Sequence, residues 1–181
     1  MKRIGYIYND ICDIENIKEA ILKASKGKRK RSNVQKVLKN IDYYAEQIQI
    51  MLKNKTYNPS PYQEDLIKET SNNKERVIFK PKYYPDQIVH WCLMLKLSPI
   101  IMKGMYYYNC GSIPGRGIHY AHDAVKKWLK NDRKHTKYCV KIDITKFYPN
   151  IDKEILKPLF RKRIKDRDTL WLIDTIIDSN A

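Results

Sequence analysis

Asp143 stands near the end of an alternating run, Tyr138-Cys139-Val140-Lys141-Ile142-Asp143-Ile144. Side chains alternate across an extended chain, so Val140, Ile142 and Ile144 fall on one side and Cys139, Lys141 and Asp143 on the other. The apolar row can pack on a core. Asp143 then projects from the opposite face, where the chain turns at residues 145–149. A single carboxylate so placed suits a hard cation such as Mg²⁺, which takes oxygen ligands and often needs only one or two protein carboxylates beside substrate phosphates. The plainer alternative is a solvated aspartate at a strand end. Upstream, Arg76, Ile78 and Lys80 share one face of a second alternating run, with Val77 and Phe79 opposite. Two cations on one face of an extended hairpin make a clamp for phosphates; cations on a surface strand also serve to blunt an edge. Between the two runs lies Cys110-Gly111-Ser112-Ile113-Pro114-Gly115-Arg116-Gly117. Its three glycines let a backbone approach a ligand closely, and the helix that follows offers free N–H groups to anions.

The segment Asp143-Ile144-Thr145-Lys146-Phe147-Tyr148-Pro149-Asn150-Ile151-Asp152 resembles the first catalytic motif of reverse transcriptases of the group II intron, retron and diversity-generating retroelement type. The resemblance implies that Asp143 holds two Mg²⁺ ions (Mn²⁺ as a substitute), with the Ile144 backbone carbonyl as a further ligand. It implies that Phe147 and Tyr148 contact the nucleotide, Tyr148 lying under the incoming sugar and excluding a 2′-hydroxyl. Arg76-Val77-Ile78-Phe79-Lys80-Pro81 looks like the family's fingers hairpin, which folds over the triphosphate. Arg76 matches the family's arginine, and Lys68, Lys74 and Lys80 are all candidates for the accompanying lysine. The glycine-rich segment is similar to the family's second block, which supports the template; Gly115, Arg116 and Gly117 carry that match. Ser112 and Ile113 stand where phenylalanine and arginine are commoner, so the role of that arginine is absent.

Several elements must position these groups. Ile14, Ile17, Ile21 and Leu22 predict a helix over 14–25, ended by Gly27. From Lys23 to Lys39 there are eight basic residues and no acidic one, Lys28, Arg29, Lys30 and Arg31 among them. This reads as a patch that tracks a nucleic-acid backbone, or otherwise as a solvated linker. Val34, Val37, Leu38, Ile41, Ala45, Ile48 and Leu52 form one stripe and predict a single helix over 32–53, with Ser32 as N-cap. A hairpin is expected from 62–69 and 75–80 around a polar turn. Residues 85–103 read as a buried helix that Pro99 kinks or splits, with His90 a hydrogen-bonded helix histidine. Helices are expected over 118–131, over 153–165 with Asp152 as N-cap, and over 168–177 with Leu170, Ile173, Ile176 and Ile177 inward. His119 and His122 are three apart with no third ligand in view, so they read as solvated or template-facing.

Composition narrows the function classes. Hydrophobic residues make up 43% of 181, enough for a core, so the chain is not of the disordered class. A formal net charge of +16 calls for a polyanionic partner, and fourteen tyrosines favour nucleic acid, where ring faces stack on unpaired bases. No apolar run is long enough for a bilayer, so no membrane partner is expected. The N-terminus lacks the apolar segment of a secretory signal, and four scattered cysteines read as reduced thiols of a cytoplasmic protein.

The fold class expected is α+β, mostly helical, with a hairpin and one central strand. The resemblance divides it into fingers over 1–135 and the first part of a palm over 136–181. Two-metal nucleotidyl transfer needs more than one carboxylate, and no Asp-Asp pair occurs anywhere in the sequence. The expectation is therefore an N-terminal piece of an RNA-directed DNA polymerase that takes an RNA template, a DNA or RNA primer and deoxynucleoside triphosphates, and that is inactive alone. Two other readings stay open: a stand-alone nucleic-acid-binding fingers protein, and a polymerase-like defence protein that makes DNA without a template.

Overall fold

The computed structural model describes residues 3–68 and 75–179. They form an α+β fold: α1 (Tyr8–Ile11), α2 (Ile14–Ser25), α3 (Ser32–Lys39), α4 (Ile41–Lys53), β1 (Gln63–Lys68), β2 (Glu75–Lys80), α5 (Ile88–Met102), α6 (Ile118–Asn131), α7 (Lys153–Arg161) and α8 (Arg167–Asp178). Contacts divide the chain into two units. One comprises Met1–Pro99 with Asp152–Ala181, the other Ile100–Ile151. The boundaries fall at Pro99, inside α5, and after Ile151.

In the first unit the helical stripes meet as their spacing predicts. Ile17, Ala20, Ile21 and Ala24 of α2 are buried, as are Val34, Val37, Ala45, Ile48 and Leu52 of α3 and α4. Asp13 caps α2, accepting from the Glu15 and Asn16 amides at 3.0 and 3.1 Å, and Gly27 follows with φ +75°, a left-handed exit that glycine adopts without a Cβ clash. The single helix expected over 32–53 is two. Asn40 interrupts it with φ −136° and ψ 52°, as a residue whose short polar side chain competes with helical backbone readily does. Ser32 lies inside α3, and Arg31 holds the N-cap position without a side-chain bond.

A wide turn at Tyr83–Gln87 leads into α5. This helix is not buried on most sides. Ile88, Val89, Cys92, Leu93 and Leu97 are buried, while Trp91 and Met94 of the other face stay exposed. Asp86 is 1% exposed, and its Oδ1 accepts from the Tyr57 hydroxyl at 3.0 Å and the Ser60 amide at 3.2 Å. His90 does not bear out its expected hydrogen bond. Its Nε2 is buried with no partner among the described residues.

Burial pushes the His90 imidazole below its ordinary pKa, against the pull of the Asp86 carboxylate. The fold thus binds this proton less readily than the unfolded chain does. The stability contributed by the neutral ring is full above about pH 6.5 and is lost as pH falls through the lower folded value. His90→Gln should therefore flatten the fall of the urea midpoint between pH 7 and pH 5. An unaltered fall would show that the ring takes its proton at no cost to the fold.

The first unit is closed by chain-distant residues. Ile4 pairs with Ile164 in a parallel bridge, its amide donating to the Arg163 carbonyl at 2.8 Å and its carbonyl accepting from the Lys165 amide at 2.8 Å. Asp166 caps α8 through Oδ1, while its Oδ2 accepts from the Ile7 and Tyr8 amides at 2.7 and 2.8 Å. Asp152 caps α7 as its sequence context predicts, accepting from Glu154 and Ile155 at 2.8 and 3.2 Å. In α8 the fully covered residues are Thr169, Leu172 and Ile173; Leu170, Ile176 and Ile177 are only half-buried.

Candidate functional site

The segment expected to be the central strand is not one. Residues 138–144 have no ladder partner among the described residues. Their apolar row is open, with Val140 81% and Ile142 85% exposed. An alternating pattern makes a strand only when another strand takes its backbone groups, and the two strands described pair with each other. The turn that follows is present over 145–150. Asn150 closes it, its Nδ2 donating to the Thr145 carbonyl at 3.1 Å and its amide to the Lys146 carbonyl at 3.1 Å. Lys146 takes φ 48° there. Asp143 and Ile144 lie exposed just before the turn. Phe147 and Tyr148 sit on it edge to face at 5.4 Å, with Tyr148 82% exposed. The structure thus leaves Asp143 and Ile144 exposed immediately before a solvent-facing turn that carries Phe147 and Tyr148. Among the described residues no three His, Cys, Asp or Glu side chains gather as a ready metal site.

The hairpin fixes which cations keep company. β1 and β2 pair antiparallel, with Gln63 opposite Lys80, Asp65 opposite Ile78 and Ile67 opposite Arg76. Directly opposed residues share a face, so Arg76 and Lys80 stand on one face with Asp65. Lys80 forms an ion pair with Asp65. Lys68 lies opposite Glu75, on the other face, and pairs with it at 3.1 Å. Lys74 lies outside the described residues. Both faces of the hairpin are open to solvent along its length. If a triphosphate meets the Arg76 face, Lys80→Ala should raise its Kd about tenfold, roughly the 1.4 kcal/mol of one charge-assisted contact, and Lys68→Ala should leave it within about twofold. Equal effects would show that the hairpin acts as diffuse charge.

In the glycine-rich loop, Gly115 has φ +76°, which requires a residue without a Cβ clash. Gly117 occupies the N-cap position of α6 at φ −79°. Arg116 turns back onto Tyr107. Its Nη1 donates to the Tyr107 carbonyl at 3.0 Å, and its guanidinium carbon lies 5.3 Å from that ring's centroid. His119 and His122 are exposed.

The basic loop divides. Lys28 is half-buried, with its ammonium bonded to the Gln87 side chain. Burial, reinforced by Arg31, lowers its pKa. Gln87 in turn donates to the Pro81 carbonyl at 2.7 Å, just past the foot of β2. Lys28 is therefore a fastening of the loop, and Arg29, Lys30 and Arg31 are the cations left exposed.

Sequence reasoning missed one grouping, the rings of Tyr106, Tyr107, Tyr108, Tyr120 and Trp128. Three consecutive tyrosines were its only signal. No described helix is long and apolar enough to cross a membrane. Comparison with protein-family models finds no match to this chain, and comparison with curated proteins finds none either.

Proposed function

We propose that these residues carry the nucleotide- and template-contacting parts of an RNA-directed DNA polymerase, with 1–135 acting as fingers and 136–181 as the start of the palm. The observation that carries the reading is the order of three blocks along one chain: a cationic hairpin face at Arg76 and Lys80, a glycine-rich turn at Gly115–Gly117, and Asp143 followed by the turn that holds Tyr148. An exposed carboxylate beside an extended backbone segment offers the hard oxygen donors that Mg²⁺ or Mn²⁺ takes. Bound there, the metal would neutralise charge on the transferring phosphoryl group. Asp143 and the Ile144 carbonyl would hold it. Arg76 and Lys80 would bind the triphosphate, Phe147 and Tyr148 would shape the sugar pocket, and Arg29, Lys30 and Arg31 would meet template or primer phosphates. The 181 residues contain no Asp-Asp pair, so in this reading the remaining carboxylates come from outside them.

The test is primer extension on an RNA template by the complete protein that carries these residues. Tyr148→Ala should raise ribonucleotide incorporation relative to deoxyribonucleotide by about tenfold or more, because the ring discriminates by a clash with the 2′-hydroxyl. A ratio that does not move assigns Tyr148 to packing alone. No extension on any RNA template would sink the polymerase reading.

A further inference from the structure

Five rings gather in the second unit. Tyr108 is their centre: its centroid lies 4.6 Å from that of Trp128, 5.0 Å from Tyr107 and 5.8 Å from Tyr106, each in an edge-to-face arrangement. Tyr120 completes the group at 5.9 Å from Tyr107 and 6.5 Å from Tyr108. These contacts lock the rings against one another. They do not cover them. Tyr106 is 69%, Tyr107 61% and Trp128 40% exposed, whereas the core tyrosines Tyr57 and Tyr83 are 3% and 4% exposed. Arg116 adds a guanidinium plane beside Tyr107. Rigid ring faces left in water, next to a planar cation, are what unpaired bases stack upon.

Charge selects the occupant. Residues 100–151 hold ten lysines and arginines against three aspartates. Lys126, Lys127 and Lys130 are exposed on α6, the helix that carries Tyr120 and Trp128. A ligand that brings flat apolar groups on a polyanionic backbone answers both features. A duplex does not, since its bases keep their faces for each other. We propose that Tyr106, Tyr107 and Trp128, with the Arg116 guanidinium, form a stacking surface for the unpaired bases of a single-stranded nucleic acid. The inference rests on the proposed nucleic-acid role and not on the proposed chemistry. Tyr108 and Tyr120 act as supports, and hydrogen bonding with Tyr107 pushes the Tyr120 hydroxyl up to about 12.

The test uses the 181-residue chain and two twelve-nucleotide probes, an oligo(dA) strand and an abasic strand with the same phosphates. Phosphate attraction is common to both, so the difference in Kd reads stacking alone. Oligo(dA) should bind at least about tenfold tighter, the lower range of base–aromatic stacking. Tyr106→Leu with Tyr107→Leu should erase most of that difference and leave abasic affinity within about twofold. Tyr106→Phe, which keeps the ring, should retain it and so exclude a folding defect. Equal affinity for the two probes, no binding of either, or a parallel loss of both in the leucine variant overturns the proposal. So does a wild-type dimer that the leucine variant makes monomeric without base-dependent binding, which would assign the rings to self-association. Base-dependent binding by this chain, with no extension by the complete protein, would leave the stacking surface standing and remove the polymerase reading.

Discussion

Asp143→Asn is expected to abolish primer extension by the complete protein while leaving primer–template affinity within about twofold. The two halves of the result have different origins. Asparagine keeps the shape of the side chain but removes the negative charge through which it would hold a metal ion. Catalysis of this class consists largely of placing charge around the transferring phosphoryl group, and losing a metal ligand should lower the rate by at least about a thousandfold, some 4 kcal/mol of barrier. In the proposed reading affinity would rest elsewhere, on Arg29, Lys30 and Arg31 and on the ten lysines and arginines of residues 100–151. Deleting one exposed carboxylate from such a surface should, if anything, tighten binding slightly. Extension at near wild-type rate would remove the catalytic assignment. A parallel loss of binding would show that the turn collapsed.

The second large effect concerns stability. Asp166→Ala removes the acceptor for the Ile7 and Tyr8 amides and the cap of α8 together. A lost cap costs about 1 kcal/mol and each amide left unsatisfied roughly 1 kcal/mol or more, so a loss of about 3 kcal/mol is expected in urea unfolding. Burial pushes the Asp166 carboxyl up, but the Tyr8, Ile7 and Thr169 donors together hold its pKa below the ordinary value. A depressed folded pKa means that the contribution is present above the unfolded value, about 3.9, and is lost as pH falls through the lower folded value. Wild type and variant should therefore differ most above pH 5 and converge as the pH drops below roughly 4. A gap that persists into acid would assign the effect to packing rather than to the carboxylate.

What the sequence could convey follows the range of the interactions. Helices are local, and the stripes of α2 and α4 and the caps of α7 were readable because spacing and cap chemistry lie within a few residues. The break at Asn40 was not, since the apolar stripe continues through it. Alternation at 138–144 identified two faces but not a partner, and a strand exists only with one. The same alternation did place Arg76 and Lys80 together, because the register there is set by a short hairpin. Placing Lys68 on the face away from Arg76 needed the pairing with Glu75. Among the basic residues, nothing in composition separates Lys28, turned to Gln87, from Arg29 beside it. Thr169 is a short polar residue that the fold buries completely, and its place in the core depends on packing that no residue type announces.

The fastening of Ile4, Ile7 and Tyr8 to residues 163–166 also sets an order of events during synthesis. The Asp166 bonds span 159 and 158 positions. At some 5–20 residues per second, the N-terminal segment waits roughly ten to thirty seconds for its partner. For that interval α1 has no acceptor for its first amides, and residues 100–151 must be made before the first unit can close. A nascent chain stalled before residue 160 should therefore leave its N-terminus open to a protease that spares the same peptide bonds in the finished protein.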